Sequence, residues 1–186
     1  MRAERAAVYH RPVVSPRSSP RAFARVALLV LGAVSAACGP AGYPPSEQHP
    51  LLGKPLPQIH HRETIEGQPF DAAQLAGKPV LVKFFASYCQ PCKETLPAAE
   101  RLHESHPGVT FVGIDEDDST EAAQGLVQKY GLSFTVVRDE SNVLAGRFRV
   151  STMPATFVAD STGVIRWVGG ESQTEADLRR AIEAAR

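Results

Sequence analysis

The sequence predicts an α/β sandwich built on a mixed β-sheet. Short apolar runs alternate with segments whose apolar residues recur at helical spacing, and the last two runs flank a turn signal, Asp160–Gly163. Strands that alternate with helices favour parallel pairing, whereas two strands joined by a tight turn pair antiparallel. The sheet is therefore expected to contain both kinds of pairing.

The apolar runs are the predicted strands. Val80–Phe85 is almost continuously apolar, as expected of a central strand covered on both faces. The other predicted strands are Val109–Ile114, Phe134–Val137, Ala155–Val158 and Val164–Val168.

Three segments carry the spacing of an amphipathic helix. Their apolar residues are Leu96, Ala99 and Leu102; Ala123, Leu126, Val127 and Tyr130; and Leu178, Ala181, Ile182 and Ala185. Gly131 is expected to end the second helix, and Ser172 or Thr174 to cap the third.

Residues 1–37 are predicted to be a secretory signal. Six arginines precede a short apolar run, Val26–Ala37, that ends in small residues. As a helix this run is too short to cross a hydrocarbon core of about 30 Å. An uncleaved anchor that begins near Phe23 is the alternative.

Ser35–Cys38 resembles the lipobox of bacterial lipoproteins, in which the cysteine is lipid-modified after cleavage before it. Ser35 departs from the leucine usual at that position, and simple cleavage after Ala37 is the alternative. A lipidated Cys38 would leave no odd free thiol in an exported protein. Residues 38–50, rich in proline and glycine, are predicted to be a tether, and residues 51–186 one domain.

The charge distribution argues against nucleic-acid binding. The formal net charge of the chain is zero, but the leader contains six arginines and one acid. The domain that follows is therefore mildly acidic and lacks the basic surface that nucleic acids require.

Cys89 and Cys92 are the candidate catalytic pair. They follow the predicted central strand directly and open a predicted helix, with Pro91 in its first turn. The backbone N–H groups and dipole at a helix start favour the thiolate, which is the form that attacks disulfides. The second sulfur lies about one turn on and can resolve the mixed disulfide.

Two other roles for the pair are weaker. A structural disulfide across so short a loop would constrain the unfolded chain very little. A zinc site would need further ligands, and neither His60–His61 nor the pair His103 and His106 has a usual spacing. No metal or cofactor is expected.

With these residues in place, the domain resembles the thioredoxin superfamily, and within it the TlpA/ResA/CcmG group of membrane-tethered extracytoplasmic oxidoreductases. The matching segments are 52–57, 77–80, 84–93, Pro97 and 150–157. The resemblance implies a thioredoxin-like three-layer sandwich. It also implies an inserted strand–helix unit, which the long chain between Cys92 and Pro154 would hold.

The resemblance also implies a substrate-binding surface. Pro154 would be a cis proline facing the cysteines, and Thr152–Pro154 would offer backbone groups to an extended peptide. Tyr88, at a position where the group often has tryptophan, would shield Cys89, and Pro91 would line the same surface.

Two departures from the family pattern concern the proton acceptor of Cys92. Lys83 stands where thioredoxins carry an acid, and Thr95 where the ResA type has a glutamate; Glu94 lies one residue early. One interpretation is that Lys83 extends to the surface and Glu94 lies on a solvated helix face. The other is that Lys83 pairs with Glu94 or lowers the pKa of Cys92.

The resemblance implies an oxidoreductase tethered on the outer side of a bacterial membrane that reduces disulfides in exported proteins and is recharged by a membrane electron donor. A lipid anchor at Cys38 and a monomeric state are expected as well. Substrates of the family are of the cytochrome c or metal-site maturation type. A disulfide-forming oxidant is the alternative within the class, because sequence does not fix the redox poise. A peroxiredoxin-type peroxidase and a copper-binding chaperone are alternatives from other classes, and neither has its usual cysteine pattern here.

Overall fold

A computed structural model describes Ser46, residues 48–117 and residues 119–186. The predicted signal, the candidate lipidation site Cys38 and most of the predicted tether lie outside the described residues. Within the described residues, no helix is long and apolar enough to span a membrane.

The strands are β1 (Val80–Phe85), β2 (Thr110–Asp115), β3 (Thr135–Arg138), β4 (Ala155–Ala159) and β5 (Ile165–Gly169). They form one sheet in the order β3-β2-β1-β4-β5. β1 pairs parallel with β2 and β2 with β3, while β4 pairs antiparallel with both β1 and β5. The predicted mixed sheet is confirmed, and β1 has the predicted bounds.

The helices are α1 (Gln90–Ser105), α2 (Thr120–Tyr130), α3 (Val143–Phe148) and α4 (Glu175–Ala185). Gly131 ends α2 in the left-handed conformation, as its position predicts. Thr174 and not Ser172 caps α4, because its side chain and that of Asp177 bind each other's backbone N–H groups. The chain between α1 and β4 contains β2, α2, β3 and α3, which holds the expected additional strand–helix unit.

Both faces of the sheet are covered by apolar layers. Leu81 and Phe85 of β1 point into the layer that contains Cys89 and Cys92 and the buried sides of α1 and α4. Val80, Val82 and Phe84 point into the opposite layer, with α3. Because side chains alternate along a strand, the apolar run 80–85 can supply both layers only as a central strand. The three-layer sandwich is the predicted fold.

Candidate active site

The two cysteines lie where the central strand gives way to α1. Cys89 is the N-cap residue of that helix, and its Sγ accepts a hydrogen bond from the Cys92 N–H at 3.2 Å. The two Sγ atoms are joined in a disulfide. Pro91 lies in the first turn, where its missing N–H breaks no helical hydrogen bond. The first turn of α1 therefore supplies both sulfurs and the N–H group that binds one of them.

The two sulfurs differ in access. Cys89 is 7% exposed and Cys92 is completely buried in the apolar layer beneath α1. An incoming sulfur can therefore reach Cys89 and not Cys92. After reduction, a thiolate at Cys89 would be favoured by the helix start, and Cys92 would lie one turn behind it.

The loop before Cys89 is held by a residue that the sequence did not single out. Asp117, two residues beyond β2, accepts hydrogen bonds from Ser87 N at 2.8 Å and from Ser87 Oγ at 2.6 Å. The available signal was the acidic run Asp115–Asp118 directly after a parallel strand. The carboxyl ends of β1 and β2 meet at one edge of the sheet, so residues that follow them can touch.

The Pro154 loop lies at the same edge of the sheet. The Met153–Pro154 peptide bond is cis, as the resemblance implies. Ala155 pairs with Phe84 at the end of β1, so Pro154 lies beside the segment that leads to Cys89. Met153 packs against the apolar layer that contains both cysteines. Tyr88 is 69% exposed, and Thr152 is exposed as well. The structure brings the predicted substrate-binding residues to one edge; their binding role stays a prediction.

Lys83 does not extend to the surface, and that interpretation is wrong. The residue is completely buried, and its Nζ lies 3.4 Å from Thr156 Oγ1 on β4. Burial lowers the pKa of Lys83 to about 7. The reason is the register: Lys83 lies between Leu81 and Phe85, on the face of the central strand that α1 and α4 cover.

Glu94 is exposed on α1, in agreement with the interpretation that it lies on a solvated face. Within the part of the chain that the structure describes, Lys83 forms no ion pair with Glu94 or with any other acid. Thr95 donates its hydroxyl hydrogen bonds to the carbonyl groups of Pro91 and Cys92. Glu94 is exposed and Thr95 has no carboxylate, so neither of these residues provides a carboxylate beside the Cys92 sulfur.

Two acidic side chains at the end of β2, Asp115 and Glu116, have raised pKa values. Burial first, and then the charge of Asp117, raises the pKa of Asp115 to about 8. Burial and the charge of Asp139 raise the pKa of Glu116 to about 7. Asp115 is the register partner of Phe85, four residues before Cys89. No three or more described His, Cys, Asp or Glu side chains are arranged to hold a metal ion.

Residues 52–168 match the AhpC/TSA family, a thioredoxin-superfamily domain. The chain belongs to this family. The match covers the cysteine pair and the cis-proline loop, so the resemblance inferred from the motifs is confirmed.

The relatives include the soluble secreted antigen MPT53 of Mycobacterium bovis, 38% identical over 92 residues, which are 50% of this chain and 53% of MPT53. The chain thus spans about half the length of that relative. ResA of Bacillus thuringiensis, named a thiol-disulfide oxidoreductase, is 29% identical over 127 residues, or 67% of this chain and 73% of ResA.

A solved structure of similar fold is that of a secreted Mycobacterium tuberculosis disulfide oxidoreductase homologous to E. coli DsbE. It is 30% identical, with a TM-score of 0.62 over 66% of this chain and 93% of that one. ResA and the protein of the solved structure are thus named as oxidoreductases of the predicted class, and the solved structure has the predicted fold.

Proposed function

We propose that this protein is a membrane-tethered, extracytoplasmic thiol–disulfide oxidoreductase that reduces disulfides in exported proteins. The observation that carries the proposal is the Cys89–Cys92 disulfide at the start of α1, in which Cys89 is 7% exposed and Cys92 is completely buried. Relatives named as disulfide oxidoreductases support the reaction class.

The exchange needs no other reactant than the substrate disulfide. In the reduced protein, the Cys89 thiolate attacks one sulfur of the substrate, and the other substrate sulfur leaves as a thiolate. Cys92 then attacks Cys89 Sγ, which breaks the bond to the substrate and forms the Cys89–Cys92 disulfide. Two electrons pass to the substrate, and Cys92 loses its proton.

The edge of the site that contains the Pro154 loop is proposed to bind an extended peptide. Thr152–Pro154 lies beside the cysteine loop and leads directly into β4. Backbone groups of such a loop can pair with a substrate strand, while Tyr88 and Met153 offer apolar contact. Tyr88, Pro91, Thr152, Met153 and Pro154 are accordingly the proposed contact residues.

The location is proposed from the leader. Arg-rich residues followed by a short apolar run direct export, and Cys38 would carry the lipid that tethers a monomer to a bacterial membrane. Two of the relatives are described as secreted. A reductase in an oxidising compartment needs a source of electrons, which a membrane electron donor would supply.

The test is the equilibrium between the protein and glutathione redox buffers, read from the thiol content of Cys89 and Cys92. A reductant should remain reduced only in strongly reducing mixtures and have a potential near that of thioredoxin, about −270 mV. A potential near −120 mV, typical of a strong oxidant, would reverse the proposed direction.

Trapping tests the roles of the two sulfurs. Cys92→Ser should accumulate mixed disulfides with exported proteins, whereas Cys89→Ser, the matched control, should accumulate none. Peroxide consumption that survives Cys92→Ser, or copper retained by the reduced protein, would instead support a peroxidase or a copper chaperone.

The tether has its own experiment. Incorporation of labelled fatty acid and recovery in the membrane fraction are expected for the wild type and should be lost in Cys38→Ser. Unchanged membrane recovery of Cys38→Ser would favour the uncleaved anchor near Phe23.

A further inference from the structure

One residue of the predicted tether is fixed to the domain. His49 lies within residues 38–50, yet it is half-buried. Its ring packs edge-on against the ring of Phe157 on β4, with the ring centroids 5.1 Å apart. The chain that follows is held as well, because the Gly53 N–H donates a hydrogen bond to the Ile165 carbonyl of β5 at 2.8 Å. The end of the tether therefore packs as part of the domain.

The two ring nitrogens of His49 bind two different segments. The Leu51 N–H lies 3.2 Å from Nδ1 and donates to it, so Nδ1 acts as an acceptor. Nε2 lies 3.2 Å from the carbonyl oxygen of Arg149, which can only accept. With these partners the ring carries its proton on Nε2 and donates it to Arg149. The imidazole thus links the N-terminal segment to a residue 100 positions farther along the chain.

Arg149 begins the loop that leads to Pro154. It ends α3 with a φ of 54°, a left-handed conformation that is uncommon for a residue other than glycine. The next N–H, that of Val150, donates to the Ala145 carbonyl at 2.9 Å and closes the helix end. Residues 151–153 form no hydrogen bond with any other residue that the structure describes. The path of this loop therefore depends on its two ends, Arg149 and β4.

His49 also lies close to the part of the loop that is proposed to bind substrate. A small cavity of about 40 Å³ is lined by His49, by residues 149–152 and by Pro154. Thr152 and Pro154 are among the proposed peptide contacts. Removal of the imidazole would enlarge this cavity and release the Arg149 carbonyl, so that the loop could shift.

We propose that His49 is a positioning residue for the substrate. Its Nε2–H holds the Arg149 carbonyl and so keeps the backbone of residues 151–153 in the orientation that pairs with an extended peptide. His49 acts through Arg149 and contacts neither the substrate nor the sulfurs. This inference rests on the proposed function and makes the end of the tether part of the substrate site.

The effect should be confined to peptide binding. The cysteine pair is positioned by the start of α1 and by the contact of Asp117 with Ser87. Among the described residues, His49 makes no hydrogen bond to either of these. A loop that is held in its binding conformation spares the substrate the cost of ordering it. Loss of His49 should therefore weaken the binding of a peptide and leave the chemistry at Cys89 unchanged.

The experiment compares two disulfides with the reduced full-length protein. One is a peptide whose single cysteine carries a coloured aromatic thiol, and the other is the small symmetrical disulfide of the same thiol. Release of the coloured thiolate is followed in single turnovers as the peptide concentration is varied. His49→Ala should raise the half-saturating peptide concentration roughly threefold to tenfold, as expected for the loss of one hydrogen bond. The limiting rate and the rate with the small disulfide should not change.

His49→Gln and His49→Asn form a matched pair. The glutamine amide can reach the Arg149 carbonyl with an N–H group, as Nε2 does, whereas the shorter asparagine can only replace Nδ1 as the acceptor for Leu51. Both variants lose the ring contact with Phe157. His49→Gln should therefore bind the peptide nearly as well as the wild type, and His49→Asn should resemble His49→Ala. Equal impairment of the two variants, or none in His49→Asn, would overturn the inference.

The reduction potential of the cysteine pair separates positioning from a general change in the fold. Equilibrium with glutathione should give the same potential for the wild type and for all three variants. A shift in potential that accounts for the altered exchange would overturn the inference. Normal exchange by His49→Ala with an unchanged half-saturating peptide concentration would do the same. Absence of exchange with both disulfides in the wild type would instead contradict the proposed function itself.

Discussion

Asp117 binds Ser87 through both of its carboxylate oxygens, one to the backbone N–H at 2.8 Å and the other to the hydroxyl at 2.6 Å. This contact joins the ends of two neighbouring parallel strands, two residues before Cys89. The position of the reactive sulfur therefore depends on the β2 loop as well as on the start of α1.

Replacement of Asp117 by alanine should lower the free energy of unfolding by about 1–3 kcal/mol, because Ser87 N–H loses a charged acceptor in a half-buried place. Exchange at Cys89 should also slow, since the loop before it is less well held. Urea denaturation of the oxidised protein and the rate of disulfide exchange measure the two effects. Glu104→Ala, an exposed change on α1, is the control and should leave both unchanged. Equal stability of Asp117→Ala and wild type would show that the contact contributes nothing.

Gly113 should not tolerate a side chain. A Cβ there would lie 2.8 Å from Phe85 Cε1 and 3.1 Å from both Phe134 Cε2 and Val136 Cγ2. Gly113→Ala is therefore expected to cost about 1–3 kcal/mol of stability by overpacking the layer beneath α1.

Gly125 is the matched control for that substitution. It lies within α2, and a Cβ there would meet nothing within 4 Å. Gly125→Ala should stabilise the protein by about 0.5–1 kcal/mol, since alanine favours the helix. Thermal unfolding of the two variants side by side checks that Gly113→Ala is destabilising and Gly125→Ala is stabilising. A stabilising Gly113→Ala would disprove the packing argument.

Lys83 should lower the stability of the fold in a pH-dependent way. Its pKa is about 7 in the folded protein, below the ordinary 10.5 of the unfolded chain. Between these values the unfolded state binds more protons, so this group makes stability rise with pH across that window. Lys83→Met should be roughly 1–4 kcal/mol more stable than wild type at pH 7, as expected when a buried charged group gives way to an apolar one of similar volume.

The difference in the free energy of unfolding between Lys83→Met and wild type should narrow as pH rises from 7 towards 10.5, because the wild-type lysine becomes neutral in both the folded and the unfolded state. Urea denaturation at pH 7 and pH 9.5 provides the comparison. A gap between wild type and Lys83→Met that is constant with pH would mean that the lysine is not desolvated.

Asp160 should stabilise the β4–β5 turn and lose that effect in acid. Burial alone would raise its pKa, but hydrogen bonds from Thr162, Arg166 and Val164 outweigh burial and lower the pKa to about 2. Because the folded pKa lies below the ordinary 3.8, the stabilisation is present above about pH 4 and is lost as pH falls towards 2.

Asp160→Ala should accordingly be about 1 kcal/mol less stable than wild type at pH 7 and nearly equal to it at pH 2. Denaturation curves at the two pH values test this, with Glu171→Ala, an exposed change in the next loop, as control. A deficit of Asp160→Ala that persists at pH 2 would point to a packing effect in place of a charge effect.

Most of the fold could be predicted because its signals are local. The apolar run 80–85 gave β1 with its observed bounds, and Gly131 and Thr174 marked helix ends through backbone geometry and side-chain capping. The short helix α3 was not predicted. Its start is bound by the Asp139 side chain, which accepts hydrogen bonds from Leu144 N and Ala145 N, and no periodic pattern extends far enough to announce six residues.

In the candidate site, too, some features could be predicted from the sequence and others could not. Cys89 and Cys92 could be found from the sequence, because two cysteines at the start of a helix after a buried strand have a chemistry that depends only on their immediate neighbours. The contact of Asp117 with Ser87 could not, since it joins residues 30 positions apart through the pairing of β1 with β2.

For this protein, the sequence was enough to determine the three-layer sandwich and the pair Cys89 and Cys92. It also predicts an export leader. Only the tertiary structure decided that Lys83 is enclosed without a carboxylate partner and that its amine turns towards Thr156. The reason is physical: strand alternation specifies the face on which a side chain lies, whereas the burial and the partners of that side chain depend on the helices and strands that cover the face.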